Sequence, residues 1–270
     1  MSLANAPTAP RHLGTFVAFL GRDLIVLARN AGEFIGQIAM QPLLLVFVFT
    51  YLLPKSGLNL GGPGFSFATV LLPGLLASTA FTTGIAVVAA PLAIDLGSSR
   101  EIEDRALAPL PLWAVALEKI LFGAWQALLS GLLVFPLAYF IPATAVQIHV
   151  HHWPLFILMI ALTSLLSAAA GLTLGCLVNP QRIGILYGLI VIPITFLGCV
   201  YYPWAQLAPV RWAQVAVLLN PLVYVTEGMR AVLTPTVKHM PTAAYLGVSS
   251  ALLVVFLVAG TRLLTRRLQQ

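Results

Sequence analysis

Six stretches of roughly 20 residues contain no Asp, Glu, Lys or Arg, and nothing else in the sequence restricts the fold as strongly. They cover approximately residues 34–53, 67–93, 120–141, 154–178, 183–202 and 243–261. Each is long enough to cross the hydrocarbon of a bilayer as a helix, and a helix satisfies its own backbone hydrogen bonds where no water is at hand. The composition agrees. Hydrophobic residues make up 60% of the 270 and charged residues 8%, whereas a soluble domain is about 25% charged. So few polar side chains cannot cover so many apolar ones, and a bilayer removes the need. The expected fold is therefore all-α, with six transmembrane helices in one membrane domain over 1–270. Pro42, Pro73, Pro91, Pro136 and Pro193 fall within or near the ends of these spans. Membrane bundles tolerate such prolines where neighbouring helices satisfy the freed carbonyls, so they shape packing or act as hinges.

Basic residues set the expected orientation. With six spans both termini share a side, and that side receives Arg11, Arg22, Arg29, Arg100, Arg105, Lys119, Arg182, Arg262, Arg266 and Arg267. The opposite side receives only Lys55, Arg211, Arg230 and Lys238. The count predicts that the termini face the cytosol in a multi-pass protein of the cytoplasmic membrane. The opening "MSLANAPTAP" has no charged region leading into an apolar stretch and a cleavage site. Residues 1–12 are expected to be a disordered cytosolic tail.

Two segments are apolar without being spans. Leu13, Phe16, Leu20, Leu24 and Leu27 recur at helical spacing, while Thr15, Arg22 and Arg29 recur every seven residues on another face. This pattern predicts an amphipathic helix lying in the cytosolic interface over 13–31. Residues 203–242 mix Trp204, Trp212 and Tyr224 with Gln206, Gln214, Asn220, Glu227 and Arg230, and five prolines cut the segment into short pieces. Short helices dipping into the outer leaflet are expected there, anchored by aromatics at headgroup depth. Asn220 and Pro221 are placed to cap and start one of them. Glu227 and Arg230, three apart, can pair on it. In the fourth span, Gly171 and Gly175 follow three alanines and allow close helix approach, within the bundle or against another subunit.

Several chemistries are missing. The chain's three lysines are Lys55, Lys119 and Lys238, and none follows a glycine, so no phosphate-binding loop is present and this chain cannot hydrolyse ATP. No zincin or nucleophile-elbow motif occurs. His149, His151 and His152 in "HVHHW" lack an acidic or thiol partner nearby, so the expectation is an interfacial turn without metal. Cys176 and Cys199 lie in apolar runs as packing residues. No span carries an acid or base that could bind a coupling ion at mid-membrane. Energy for any transport would then arrive at the cytosolic face.

At that face, five of the chain's 22 charged residues crowd into six positions: Arg100, Glu101, Glu103, Asp104 and Arg105. The surrounding "IDLGSSREIEDRALAPLPLWAVALEK" and the later "YYPWAQLAPVRWAQVAVLLNPLVYVTEGMRAVL" resemble the membrane permeases of type-2 ABC exporters. The second string is similar to the branch with daunorubicin-resistance and nodulation-factor export permeases. The resemblance covers nearly the whole chain. It implies two copies of a separate ATPase holding ATP and Mg, a second permease that is identical or homologous, and no nucleic-acid partner. It further implies that the 95–111 loop is a coupling element, with Arg100, Glu101, Glu103, Asp104 and Arg105 docking the ATPase. The other reading of these charges is a solvated loop. Asn220, Pro221, Glu227 and Arg230 would lie at an outer-leaflet exit, as a structural pair or as a polar lip. The expected function is export of an amphiphilic or apolar cargo such as a drug, lipid or lipid-linked glycan, without enzymatic activity on this chain. Thr79, Thr82, Thr83, Ser164 and Ser167 are candidate path residues. The alternatives are an ion-coupled carrier or channel without an ATPase, and a membrane scaffold.

Overall fold

A computed structural model of the chain describes residues 12–56, 67–99, 112–141, 150 and 152–268. Among these residues every regular element is helical. In chain order they are α1 (His12–Arg29), α2 (Ala31–Val46), α3 (Phe67–Ile94), α4 (Leu112–Leu132), α5 (Val134–Phe140), α6 (Trp153–Leu177), α7 (Ile183–Phe196), α8 (Arg211–Ala216), α9 (Pro221–Leu233) and α10 (Thr242–Leu268). A π-helical turn carries α2 onward through Phe47–Leu52, so the helical segment reaches Lys55.

The helices sort by burial as their sequences require. α3 and α6 are apolar on every face, which suits a position at the centre of the bundle. In the most apolar window of each, 72% of residues are buried, against 17% for α2 and for α10. Small residues bring α3 and α6 together. A Cβ added at Gly171 would meet the Ile85 carbonyl oxygen at 2.8 Å, and one at Gly175 would meet the Ala89 carbonyl oxygen at 2.9 Å. Both obstacles are backbone and cannot swing aside, so glycine at these two positions is what permits the approach. Gly171 and Gly175 thus lie in a seam within the chain. One apolar cluster, with Leu76, Phe81, Met159 and Tyr245, fills the half of the bundle near α9, and a second, with Val88, Leu92, Ile120 and Leu264, fills the other half.

Among the described residues, five helical segments are long and apolar enough to cross a bilayer: Ala31–Lys55, Phe67–Gly97, Trp113–Phe140, Trp153–Leu177 and Thr242–Leu268. They overlap five of the expected spans, and all but Trp153–Leu177 are longer than expected. Glu33, Asp95, Glu118, Lys119 and Arg262 consequently sit within the first or last two turns of spanning helices. The expected fifth span, 183–202, is shorter than the sequence suggested. α7 stops at Phe196 after 14 residues, a rise of about 21 Å against about 30 Å of hydrocarbon. The reason is tertiary. The chain turns through Gly198 and Cys199, which has a left-handed φ of 53°, and lays its carbonyls on α9. The helix over Arg211–Leu219 and the helix over Pro221–Leu233 then meet at 101°.

Candidate functional site

The most constrained polar cluster is built by α9. Asn220 caps it as expected: its Oδ1 accepts from the Leu222 N–H at 2.9 Å, and Pro221 occupies the first turn. The Asn220 amide also donates to the Ile194 carbonyl at 2.7 Å, tying the cap to α7. Further along, Glu227 and Arg230 lie three apart and both are 0% exposed. Arg230 Nη1 donates to Glu227 Oε1 at 2.5 Å, and Nη2 donates to the Cys199 carbonyl at 2.9 Å. Glu227 also accepts from two distant backbone amides, Trp204 N–H at Oε1 and Met240 N–H at Oε2, each at 2.9 Å. Thr226 donates to the Gly198 carbonyl at 2.8 Å. Two charges in apolar surroundings are stable only when paired and well bonded, and here each neutralises the other while holding backbone. The result is a clamp joining three segments: the turn after α7, α9 itself, and the entry to α10.

A second polar contact lies at the other end of α3. Lys119 Nζ sits 3.6 Å from Asp95 Oδ2, with the two side chains 15% and 17% exposed. Asp95 directly follows α3, opening a π-helical turn over Asp95–Ser99, and Lys119 is in the second turn of α4, so the pair ties together the two helices on either side of 100–111. The clamp packs near the start of α3, where Gly74 lies against Val200. From Gly74 to Asp95 the helix rises about 31 Å. The two polar sites are therefore separated by about the thickness of a bilayer core.

Other expected site residues fall elsewhere. Arg100, Glu101, Glu103, Asp104 and Arg105 lie outside the described residues, as do His149 and His151. Among the described residues no three potential metal ligands come together. Thr79, Ser164 and Ser167 are buried within the bundle, with both serine hydroxyls donating to carbonyls of their own helix. Thr82 instead faces a groove beside α2 and α7. The backbone partners of Glu227 and the Asp95–Lys119 contact carry no sequence signal beyond an isolated charge pair in an apolar region.

The chain matches the model of a known family, ABC-2 type transporter, over residues 15–234. It belongs to the ABC-2 type transporter family. A search of curated proteins returns no match. Membership makes this ABC-2 chain a membrane permease of an ABC-type transporter, a transport subunit that works with an ABC ATPase. It is a multi-pass membrane protein. The matched region contains the 100–105 charges and all of the clamp except the Met240 amide, and ends one residue beyond α9.

Proposed function

We propose that this ABC-2 chain is the permease subunit of an exporter that moves an amphiphilic or apolar molecule, such as a drug, lipid or lipid-linked glycan, out across the cytoplasmic membrane. Two copies of a separate ATPase bind ATP and Mg and supply the energy. A second permease, identical or homologous, completes the path. The family match over residues 15–234 carries this reading, and the lack of a phosphate-binding loop in the sequence agrees with it. The excess of basic residues on the terminal side supports an orientation with both termini in the cytosol and the clamp toward the outer leaflet.

ATPase docking is assigned to Arg100, Glu101, Glu103, Asp104 and Arg105. Charges of both signs in a short loop fix register and orientation between chains. The Asp95–Lys119 contact supports a mechanical role for this loop, because it joins the two helices that flank it. A push on the loop is then delivered to α3 and α4 together, and α3 continues to the clamp at its other end.

The test is a pull-down of the ATPase by wild-type permease and by the triple variant Glu101→Lys, Glu103→Lys, Asp104→Lys, with membrane abundance measured alongside. Losing a buried interfacial charge costs about 2–5 kcal/mol of association, or roughly 30-fold to several thousand-fold in affinity. The expected result is normal abundance with ATPase binding and export lost. Undiminished binding and export would make these charges a solvated loop.

A further inference from the structure

α10 packs against the bundle with one face and leaves the other bare. In its most apolar window only 17% of residues are buried. Ala251, Val254, Val258, Arg262 and Arg266 are all exposed, and their spacing of three and four residues puts them on one face of the helix. A Cβ added at Gly247, one turn before Ala251, would meet nothing within 4 Å. The stripe changes chemistry along its length. It runs from short apolar side chains to two arginines, which follow Val258 by one and by two turns.

The depth of the change is set by helix geometry. Counted from Thr242 at the other end of α10, Arg262 stands about 30 Å along the axis, the thickness of the bilayer hydrocarbon. The apolar stripe therefore ends at the level where lipid phosphates begin. The two guanidiniums are also unspent. Lys119 faces Asp95, and Arg230 is locked onto Glu227. Arg262 and Arg266 have no ion pair and no side-chain hydrogen bond among the described residues, and α10 carries no Asp or Glu along its length. A guanidinium holds donors in a rigid fork and no acceptor, which suits phosphate oxygens. Residues one helical turn apart lie about 6 Å from each other at Cβ, so a single phosphate can accept from both.

We propose that this face of α10 binds one anionic phospholipid, its phosphate bridging Arg262 and Arg266 and an acyl chain lying along Val258, Val254 and Ala251. A phosphatidylcholine headgroup would bring a trimethylammonium against the same two arginines and is disfavoured. A transmembrane helix of another chain would cover the valines but leave the guanidiniums without an anion. The lipid is a bound component of the permease rim and not its cargo. In the orientation proposed above it belongs to the cytosolic leaflet, but the binding depends neither on that orientation nor on an ATPase.

The experiment places the full-length permease alone in phosphatidylcholine vesicles. These contain a small, equal mole fraction of one of two probes with a diazirine in the acyl chain, phosphatidylglycerol or phosphatidylcholine. Cross-linked peptides are located by mass spectrometry. The phosphatidylglycerol probe should label α10 peptides roughly 30-fold more than the phosphatidylcholine probe, the preference that two arginines provide at an anionic headgroup. Arg262→Gln with Arg266→Gln should bring the two probes level. Unchanged labelling by the phosphatidylcholine probe in that variant shows that α10 remains in the bilayer. Arg262→Lys with Arg266→Lys keeps the charge and should keep most of the preference. Arg22→Gln with Arg29→Gln removes as much charge from the same side of the protein and should leave α10 labelling unaltered. Equal labelling of the wild type by both probes would overturn the proposal without recourse to any variant. So would an equal loss in the Arg22 and Arg29 variant, because the arginines would then act only through the surface potential. Absence of labelling by either probe would mean that another chain covers this face, and would overturn it too. No ATPase is present, so none of these outcomes bears on the exporter reading.

Discussion

Arg230 and Glu227 form an ion pair with neither side chain exposed to solvent, and the Glu227 carboxylate reaches past its partner to the backbone amides of Trp204 and Met240. The pair therefore acts less as a charge than as a rivet through three segments of chain.

This geometry orders the effects of substitution. Glu227→Ala leaves the Arg230 guanidinium and two backbone N–H groups buried without their acceptor, and should cost about 3–5 kcal/mol. Arg230→Met leaves a carboxylate that still accepts two N–H bonds and should cost less. Glu227→Gln combined with Arg230→Met removes both charges, retains an acceptor, and should be the mildest of the three. Thermal aggregation curves of detergent-solubilised protein would check the order. A Glu227→Ala variant as stable as wild type would show that the pair does not hold the three segments.

The glycines separate cleanly into two kinds. Gly171→Leu and Gly175→Leu would drive side chains into the Ile85 and Ala89 carbonyls and should destabilise by about 1–3 kcal/mol or more. Gly184→Ala and Gly188→Ala meet nothing within 4 Å in this chain, and should leave its stability unchanged or raise it slightly. The same melting measurement on all four variants tests the contrast.

Asp95 and Lys119 are mostly shielded but not fully buried, so the contact is worth about 1 kcal/mol or less in stability. Its effect should appear in transport. Asp95→Lys alone sets two ammonium groups together and should lower export while the ATPase still co-purifies. Asp95→Lys with Lys119→Asp restores opposite charges and should recover part of the export. No recovery in the swapped protein would assign the loss to something other than this contact.

Topology is open to a labelling test. Cys176 and Cys199 are 2% and 0% exposed, so wild-type permease should not react with an impermeant maleimide. In a background lacking both, Lys55→Cys should label in intact cells, and Glu103→Cys only after permeabilisation. The reverse pattern would invert the proposed orientation.

Much of this arrangement is legible in the residues alone. The cap at Asn220 and Pro221 follows from residue type and position, because a side-chain acceptor followed by a residue without an N–H starts a helix in almost any context. The pairing of Glu227 with Arg230 follows from their spacing. Their partners do not, since Cys199, Trp204 and Met240 contribute backbone atoms, and backbone atoms leave no mark on residue identity. The end of α7 departs from the expected span for a related reason. Apolar composition continues to Tyr202, but the helix gives way ahead of Gly198, where Thr226 and Arg230 take the Gly198 and Cys199 carbonyls.

The sequence by itself determined that this chain spans a membrane several times, that a helix starts at Asn220 and Pro221, and that it has no phosphate-binding loop of its own, because length, hydropathy, capping and motif chemistry are local properties. Only the tertiary structure decided which helices are central, where the fifth apolar stretch stops, and which polar residues are consumed and which remain open. Ser164 and Gln41 are both polar residues in apolar runs, and nothing in the sequence separates them. Ser164 is buried in the bundle and bonds to its own helix, while Gln41 opens into a groove with no partner among the described residues, because packing brings α3 against α6 and leaves the face of α2 uncovered.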